Sequence, residues 1–338
     1  MSKEISLVTG GNGHLGNNLI RLLLADHQKV RTTIRNINYK ESFKGLDCEL
    51  VEADITERGS LRKAFEGVAN VYAVAASFRM WAPNPKVDIY ETNMQGTQNV
   101  FDMAKECGVK NIVYVSSVAS LDFTKLPAHV DNGYNKDRRN WYYNSKNDAD
   151  KLALELGKKY GIRTIIILPS AMIGAEAHRL SYSNKIVWQI LNGEIPVDTN
   201  ISVNWIDVKD VAFGAYKAME KGRNGQRYIL ANSRHTTIQE SVKIASRLYP
   251  DLNLKMPVKL PKLLLYFVAA LMEFASRITK SEPLLQRHYL DMFYGLKQDY
   301  DIVKSKLELD FNPKSSKAAL EEALRYLRYD WKGSEKMD

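Results

Sequence analysis

The chain has 338 residues, of which 45% are hydrophobic and 26% are charged. This composition excludes a disordered chain, and a count of only two cysteines excludes a disulfide scaffold. Because neither cysteine has metal-ligand spacing, we expect no metal site and a reducing, cytoplasmic compartment. The formal net charge of +9 suits nucleic acid, an anionic membrane or an anionic cofactor, and charge alone does not choose among them.

Strand-like and helix-like segments alternate through the first half of the chain. Met1 to Glu4 lead directly into the first strand, without the basic and apolar regions of a secretory signal. The predicted strands are Ile5–Thr9, Val30–Ile34, Glu49–Ala53, Val71–Ala75, Asn111–Ser116 and Arg163–Leu168. The predicted helices include Leu15–Ala25, one ending over Gly96–Ala104, and Asn144–Tyr160. Strands joined by helical crossovers predict an α/β fold, a Rossmann-type doubly wound parallel sheet with helices on both faces.

The second half of the chain is less regular and mainly helical. The predicted helices are Tyr182–Leu191, Val208–Glu220, Ile238–Leu248, Pro261–Arg277 and Ser315–Arg328, and the short strands are Ser202–Ile206 and Arg227–Ala231. We therefore predict a dinucleotide-binding domain over residues 1–170 and a smaller substrate-binding portion over 171–338. The chain is expected to cross back to the sheet around residues 200–232.

A glycine-rich loop lies between the first strand and the first helix. Its sequence is Thr9-Gly10-Gly11-Asn12-Gly13-His14-Leu15-Gly16, with the spacing G-x-x-G-x-x-G. Gly10 permits the sharp turn, Gly13 admits a pyrophosphate close to the backbone, and Gly16 allows close helix packing. The helix N-terminus then offers N–H groups to the phosphates. The candidate cofactor contacts are Gly10, Asn12, Gly13, His14, Leu15 and Gly16.

The end of the second strand indicates which nicotinamide cofactor is bound. NAD-selective sites usually place an acid there for the ribose 2′-hydroxyl, but this chain has Arg35, which suits the 2′-phosphate of NADP. We expect NADP to be preferred and NAD to remain possible. After the third strand, Asp54 and Ile55 are candidates for the adenine, although Asp54 also suits a helix cap.

Two tyrosine–lysine pairs share the spacing Y-x-x-x-K. Tyr142 and Lys146 follow a serine-bearing strand, whereas Tyr300 and Lys304 have no such surroundings and are interpreted as structural. On a helix, residues i and i+4 share a face, so the Lys146 cation can stabilise the Tyr142 phenolate. Tyr143 has the wrong spacing and is assigned to packing.

With these residues in place, the chain resembles the extended short-chain dehydrogenases of the NAD-dependent epimerase/dehydratase family. Within them it resembles the dihydroflavonol-reductase-like and hopanoid-associated-epimerase-like branch. The motifs that carry the resemblance are Val71-Tyr72-Ala73-Val74-Ala75-Ala76, Ser77-Phe78-Arg79-Met80-Trp81-Ala82-Pro83, Asn93-Met94-Gln95-Gly96-Thr97, Leu168-Pro169-Ser170-Ala171-Met172-Ile173-Gly174, Asp207-Val208-Lys209-Asp210-Val211-Ala212 and Arg227-Tyr228-Ile229-Leu230.

The resemblance implies roles for further residues. Side chains alternate along a strand, so only one of Ser116 and Ser117 faces the site, and the family pattern favours Ser117 as the residue that orients the carbonyl. The implied catalytic residues are Ser117, Tyr142 and Lys146, with Asn93 supporting Lys146 through water. Further implied cofactor contacts are Ala75, Ala76, Pro169 and Met172. The candidate substrate contacts are Phe78, Trp81, Ser117 and Tyr182.

These residues predict an NADPH-dependent oxidoreductase that interconverts a ketone and a secondary alcohol on a bulky, lipophilic substrate. By resemblance the substrate is a steroid, a flavonoid-like ring or a keto-sphingolipid of the ceramide type. The alternative is a nucleotide-sugar epimerase or dehydratase with tightly bound NAD. A dinucleotide-sensing binding protein is disfavoured by the intact catalytic set. We expect a small-molecule or lipid partner, no nucleic acid, and a monomer or homodimer.

The most apolar stretch is Lys262–Phe274, which is too short to span a bilayer. Basic residues flank it, and Glu273 is the only acid among them; these basic residues are Lys255, Lys259, Lys262, Arg277 and Lys280. One interpretation is an interfacial helix on an anionic membrane, which would place the protein at the inner face of the membrane. We favour the other, a helix of the substrate-binding portion buried on several sides.

Overall fold

The computed structural model describes residues 4–78, 81–279, 281, 283 and 285–332, without the side chain of Arg277. The predictions that involve Met1 to Lys3, Arg79, Met80, the Arg277 side chain and Lys280 lie outside the described residues. No helix in the described part of the chain is long and apolar enough to cross a membrane.

The strands and helices alternate in the first half of the chain. The strands are β1 (Ile5–Val8), β2 (Lys29–Ile34), β3 (Glu49–Glu52), β4 (Val68–Ala73), β5 (Asn111–Val115), β6 (Arg163–Pro169), β7 (Ala171–Ile173), β8 (Val197–Asp198), β9 (Ser202–Val203), β10 (Trp205–Asp207), β11 (Arg227–Leu230), β12 (Thr236–Thr237) and β13 (Val258–Lys259). The helices are α1 (His14–Ala25), α2 (Arg58–Phe65), α3 (Thr92–Glu106), α4 (Trp141–Tyr160), α5 (Tyr182–Leu191), α6 (Val208–Lys221), α7 (Ile238–Leu248), α8 (Lys262–Thr279), α9 (Arg287–Phe293), α10 (Val303–Leu309) and α11 (Ser316–Arg325).

A seven-stranded sheet in the order β11-β6-β5-β4-β1-β2-β3 forms the centre of the molecule. Every pairing within it is parallel, and the order of the strands reverses at β1. The predicted doubly wound parallel sheet is therefore confirmed. Ligands bind such sheets beyond the carboxyl ends of the strands, where the order reverses.

Helices cover both faces of this sheet. On one face the core includes Leu19 and Leu23 of α1 with Val211 and Ala215 of α6. On the other it is built from α2, α3 and α4, with side chains that include Leu61, Phe101, Ala149 and Ala153. Because both faces are covered, β5, β6 and β11 are buried almost throughout, and β5 and β6 are accordingly rich in apolar, β-branched residues.

The chain after residue 170 contributes to both parts of the molecule. β11 pairs with β6 at the edge of the central sheet, and α6 packs against α1. A separate core around Trp205 joins α5, α7 and α11. The helix α8 buries Leu265 and Ala269 in a small cluster with Leu290 of α9.

The preferred interpretation of the apolar segment as a helix buried on several sides is wrong. Residues 262–274 form most of α8, which buries one side only, and Leu263, Phe267 and Phe274 are exposed on the other. The sequence misled because apolar residues occupy both sides of this helix, so periodicity does not distinguish the buried side from the exposed one.

Candidate active site

The glycine loop follows β1 and packs tightly against the loop after β4. Gly10 has a φ of +70°, and a Cβ atom on it would lie 3.0 Å from the Cα of Ala75. A Cβ atom on Gly16 would lie 2.4 Å from the carbonyl oxygen of Gly10. The Thr9 hydroxyl accepts hydrogen bonds from the N–H groups of Val74 and Ala75, each 3.0 Å long. The glycines thus allow the loop to pack this closely on itself and on Ala75, and a compact glycine loop of this kind fits a dinucleotide.

The N-terminus of α1 follows this loop. Asn12 and Gly13 are exposed, and Gly13 caps the helix without a side-chain bond. The first N–H groups of a helix lack internal partners, so they are available to a pyrophosphate. Leu15 is 4% exposed, so only its backbone can take part.

The His14 side chain points to the segment that follows β7. Its Nε2 atom lies 3.1 Å from the carbonyl oxygen of Gly174 and 3.0 Å from that of Ala175. Since carbonyl oxygens only accept, Nε2 carries the hydrogen. Burial lowers the pKa of His14 to about 4, so the ring is neutral and adds no positive charge for a phosphate. At this position the backbone N–H is the candidate cofactor contact.

Arg35 and Asp54 lie beyond the ends of β2 and β3. Arg35 is exposed and forms no ion pair within the described part of the chain. Asp54 Oδ1 accepts from the N–H and the hydroxyl of Thr56, at 2.8 and 2.7 Å, so it closes the turn before α2. Ile55 packs against Gly96, where a Cβ atom would lie 2.6 Å from Ile55 Cδ1. Asp54 therefore has a structural role and one carboxylate oxygen left for an adenine.

The helix α4 begins three residues earlier than the predicted helix, at Trp141 rather than at Asn144. Asn140 caps it, and its side chain accepts from the N–H groups of Tyr142 and Tyr143. The helix ends at Gly161, which has the left-handed φ of 68° that favours glycine. Tyr142 and Lys146, one turn apart, are 3% and 5% exposed.

Burial shifts the pKa of Tyr142 and of Lys146 in the direction that favours the neutral form of each. It raises the pKa of Tyr142 far above its ordinary value, and a hydrogen bond with Ser117 opposes this change. It lowers the pKa of Lys146 to about 8, and the nearby Asp150 carboxylate opposes the change. Lys146 Nζ lies 3.5 Å from the carbonyl oxygen of Val115 at the end of β5. At neutral pH the site therefore holds a protonated phenol and a largely protonated lysine.

The two serines after β5 point in different directions. Ser117 is hydrogen-bonded to Tyr142, and its Oγ also accepts from the N–H of Ala119 at 3.1 Å. Ser116 donates to Asp150 Oδ2 at 3.2 Å, away from Tyr142. The structure thus brings Ser117, rather than Ser116, to the tyrosine, as alternation along a strand requires.

Asn93 links α3 to α4. Its Oδ1 accepts from the N–H of Ser77 at 2.7 Å, and its Nδ2 donates to Ser145 Oγ at 2.9 Å. Ser145 in turn donates to the carbonyl oxygen of Tyr142 at 2.8 Å. These direct contacts hold the loop after β4 beside the first turn of α4.

Aromatic rings surround the Tyr142 side chain. The Phe78 ring lies edge-on at 5.1 Å between centroids, and the Tyr182 ring lies 6.4 Å beyond Phe78. Tyr143 packs against Phe293 of α9 at 5.6 Å. Two of the predicted substrate contacts are thus grouped with the tyrosine.

The remaining predicted residues lie after β4, at the junction of β6 and β7, and in an open cleft. Ala75 and Ala76 are partly buried in the loop after β4, Pro169 ends β6, and Met172 is a partly buried residue of β7. Trp81 lines a separate open cleft of about 590 Å³ with Tyr266 and other residues of α8 and α9.

The sequence analysis missed a buried charge pair between α4 and β11. Asp150 Oδ2 lies 3.1 Å from Arg227 Nη2, and their side chains are 0% and 9% exposed. Ser120 and Tyr134 also donate to the carboxylate, at 3.1 and 3.0 Å. Asp150 lies one turn after Lys146 on α4, and this i, i+4 spacing is the signal that the sequence offered.

Comparison with known proteins agrees with this geometry. The family model for the NAD dependent epimerase/dehydratase family matches residues 6–231. The chain is 30% identical over 232 residues to a putative dihydroflavonol 4-reductase of Synechocystis, covering 67% of each protein. It is 27% identical to sterol demethylase protein B of Methylococcus capsulatus, covering 96% of this chain and 98% of that protein. Among solved structures, gox2253 superimposes with a TM-score of 0.82 at 28% identity, covering 98% of this chain and 100% of that one.

The matched residues include the glycine loop, Ser117, Tyr142 and Lys146. The chain belongs to the NAD-dependent epimerase/dehydratase family and is an NAD(P)-dependent oxidoreductase of the extended short-chain dehydrogenase type.

Proposed function

We propose that this protein uses NADPH to reduce a ketone on a bulky, lipophilic molecule to a secondary alcohol. The observation that carries the proposal is the position of Tyr142, which has the Ser117 hydroxyl as its hydrogen-bond partner and the Phe78 ring at its edge. A polar pair of this kind suits a carbonyl oxygen, and the ring suits the apolar body of the substrate.

The geometry supports reduction rather than oxidation. A nicotinamide supplies the hydride when the cofactor is bound. The Ser117 hydroxyl orients the carbonyl oxygen, and Tyr142 donates its phenolic proton to that oxygen as negative charge develops on it. Burial raises the pKa of Tyr142, which keeps the donor protonated, and the Lys146 cation stabilises the phenolate that forms.

The preference for NADP is supported by Arg35. Arg35 follows β2, at the position where an acid would favour NAD. Its guanidinium has no ion-pair partner in the described chain. One charge-assisted contact contributes about 1.5–3 kcal/mol, so Arg35→Ala should weaken NADPH binding roughly tenfold to a hundredfold and leave NADH unchanged. Arg35→Asp should reverse the preference.

Fluorescence titration of both cofactors with these variants tests the assignment. Arg234→Ala, at an exposed arginine after β11, is the matched control and should bind both cofactors as the wild type does. Equal weakening of NADPH and NADH by Arg35→Ala would contradict the role in binding the 2′-phosphate.

A bulky, lipophilic substrate is supported by the exposed ring of Phe78 and by Tyr182 beyond it. Two relatives have names that refer to a dihydroflavonol and to a sterol, both of which are ring systems. Phe78→Ala and Tyr182→Ala should therefore raise KM for a polycyclic ketone about tenfold and change KM for a small aliphatic ketone little.

Consumption of NADPH with a panel of steroid, flavonoid-like and keto-sphingolipid substrates tests the substrate class. Turnover of nucleotide sugars by purified protein that retains NAD through dialysis would overturn the proposal in favour of an epimerase.

A further inference from the structure

The helix α8 carries an apolar face that no described part of the chain covers. Leu263, Phe267, Leu271, Phe274 and Ile278 are 87, 62, 55, 64 and 70% exposed. At about 100° per residue, these five positions fall within a sector roughly 80° wide and about 22 Å long. We call these five side chains the α8 face.

The buried residues of the helix and Glu273 lie on its other side. Leu265 and Ala269 are buried there, and Glu273 is neutralised by an ion pair with Arg287 of α9. Tyr266 and Glu273 line the open cleft of about 590 Å³. The α8 face thus points away from both the core and the cleft, and it has the composition that a helix normally buries.

The segment before α8 adds exposed apolar and basic side chains. Met256 and Val258 are 47% and 62% exposed. Lys255, Lys259 and Lys262 are also exposed, and none of them pairs with an acid in the part of the chain that the structure describes. Lys262 Nζ lies over the rings of Tyr266 and Tyr294, 5.6 and 5.2 Å from their centroids. Lys255 and Lys259 therefore flank the apolar face at its amino end as uncompensated positive charges.

We propose that the α8 face binds the surface of an anionic lipid bilayer, with the helix lying parallel to the membrane plane. A helix with one apolar face and basic flanks buries that face at the boundary between headgroups and acyl chains. Lys255 and Lys259 then lie at the level of the lipid phosphates, where anionic lipids attract them. The cleft on the opposite side of α8 stays open in this arrangement.

A second copy of the chain fits this face less well. A stripe about 22 Å long and roughly 10 Å wide covers about 220 Å², whereas a stable protein interface buries about 800 Å² on each partner. The available area therefore favours a lipid surface over a second copy.

Co-sedimentation of the full chain with vesicles tests the proposal. Vesicles of equal parts phosphatidylcholine and phosphatidylglycerol should bind the protein at low salt, pure phosphatidylcholine should bind it weakly, and added salt should release it. Each lysine near the surface is worth about 1 kcal/mol, or about fivefold, so Lys255→Glu with Lys259→Glu should weaken binding at least twentyfold. Phe267→Gln with Phe274→Gln should weaken binding at least tenfold.

Matched controls lie on α10, where Leu307 is 77% exposed and Lys306 is exposed beside it. Leu307→Gln and Lys306→Glu should bind the vesicles as the wild type does. Because the substituted side chains are exposed, circular dichroism should show all variants folded with an unchanged melting temperature.

Three results would overturn the proposal. One is the absence of binding to the anionic vesicles at low salt. Another is binding that the α8 variants do not weaken. The third is a wild-type protein that does not bind the vesicles and forms a dimer in analytical ultracentrifugation, where Phe267→Gln with Phe274→Gln dissociates that dimer. This result would assign the face to a second copy. None of these readouts depends on the reaction that the enzyme catalyses.

Discussion

The chain contains the spacing Y-x-x-x-K in two regions that differ in almost every physical respect. Tyr142 and Lys146 are both on α4, one turn apart and buried. Tyr300 precedes α10 in an extended bridge with Ala128, whereas Lys304 is inside that helix. In the first region, the four-residue spacing places both side chains on one face of a helix. In the second region, the backbone changes from an extended segment to a helix within the same four residues.

The partners of the second pair are correspondingly unrelated to each other. Tyr300 is 1% exposed and packs against Phe123, with ring centroids 6.2 Å apart. Lys304 Nζ donates to Gln226 Oε1 at 2.6 Å. A tyrosine and a lysine at this spacing therefore form an acid–base pair only where a helix carries both of them.

The largest expected difference is in turnover. Tyr142→Phe should lower kcat about a thousandfold, because no proton donor is left for the carbonyl oxygen. Tyr300→Phe should leave kcat unchanged and lower the free energy of unfolding by at most about 1 kcal/mol, because its hydroxyl makes only a 3.5 Å contact with Gln298. Steady-state kinetics and urea unfolding of both variants measure these effects. An inactive Tyr300→Phe beside an active Tyr142→Phe would reverse the assignment.

Much of the first region could be predicted because its information is local. The strand–loop–helix of the glycine motif lies within consecutive residues, and the β-branched run of β6 ends at Pro169, so periodicity and turn chemistry identify both. The Tyr142–Lys146 pair needs only helical spacing. The same local pattern also predicted α5 and α7 at their observed bounds.

The second expected difference concerns what Tyr142 has and Tyr300 lacks, a serine hydrogen bond at the end of a strand. Ser117→Ala should lower kcat about a hundredfold, since one preorganised donor for the carbonyl oxygen is lost. Ser116→Ala is the matched control, because Ser116 donates to Asp150 instead. It should cost about 1–2 kcal/mol of stability and change kcat little. Equal losses of kcat in the two variants would show that strand alternation does not separate them.

The remaining contacts could not be predicted because they join residues far apart in sequence. Arg227 reaches Asp150 across 77 positions, and His288 on α9 lies 3.1 Å from Asn140 at the cap of α4, across 148 positions. Neither Arg227 nor His288 lies in a local sequence pattern that indicates its partner. The sequence left both an exposed and a buried α8 open for a related reason, since the position of α9 decides which side is buried.

The smallest expected effect is a difference between Lys146 and Lys304 in how they make the free energy of unfolding depend on pH. Burial lowers the pKa of Lys146 to about 8, so between about pH 8 and pH 9 the unfolded chain binds more protons at this residue than the folded chain does. Stability therefore rises with pH over that interval. Relative to Lys146→Met, the free energy of unfolding of the wild type should gain about 1 kcal/mol.

Lys304 provides the comparison. Burial lowers its pKa too, but the side chain is only partly buried, so Lys304→Met should reveal a smaller gain of the same sign. Urea unfolding of the wild type and both variants at about pH 8 and about pH 9 measures the two differences, because every other titrating group cancels in them. A larger gain at Lys304 than at Lys146 would contradict the buried environment on which the acid–base role of the first pair rests. A loss of unfolding free energy with rising pH at Lys146 would mean that Asp150 outweighs burial and holds the lysine charged over this interval.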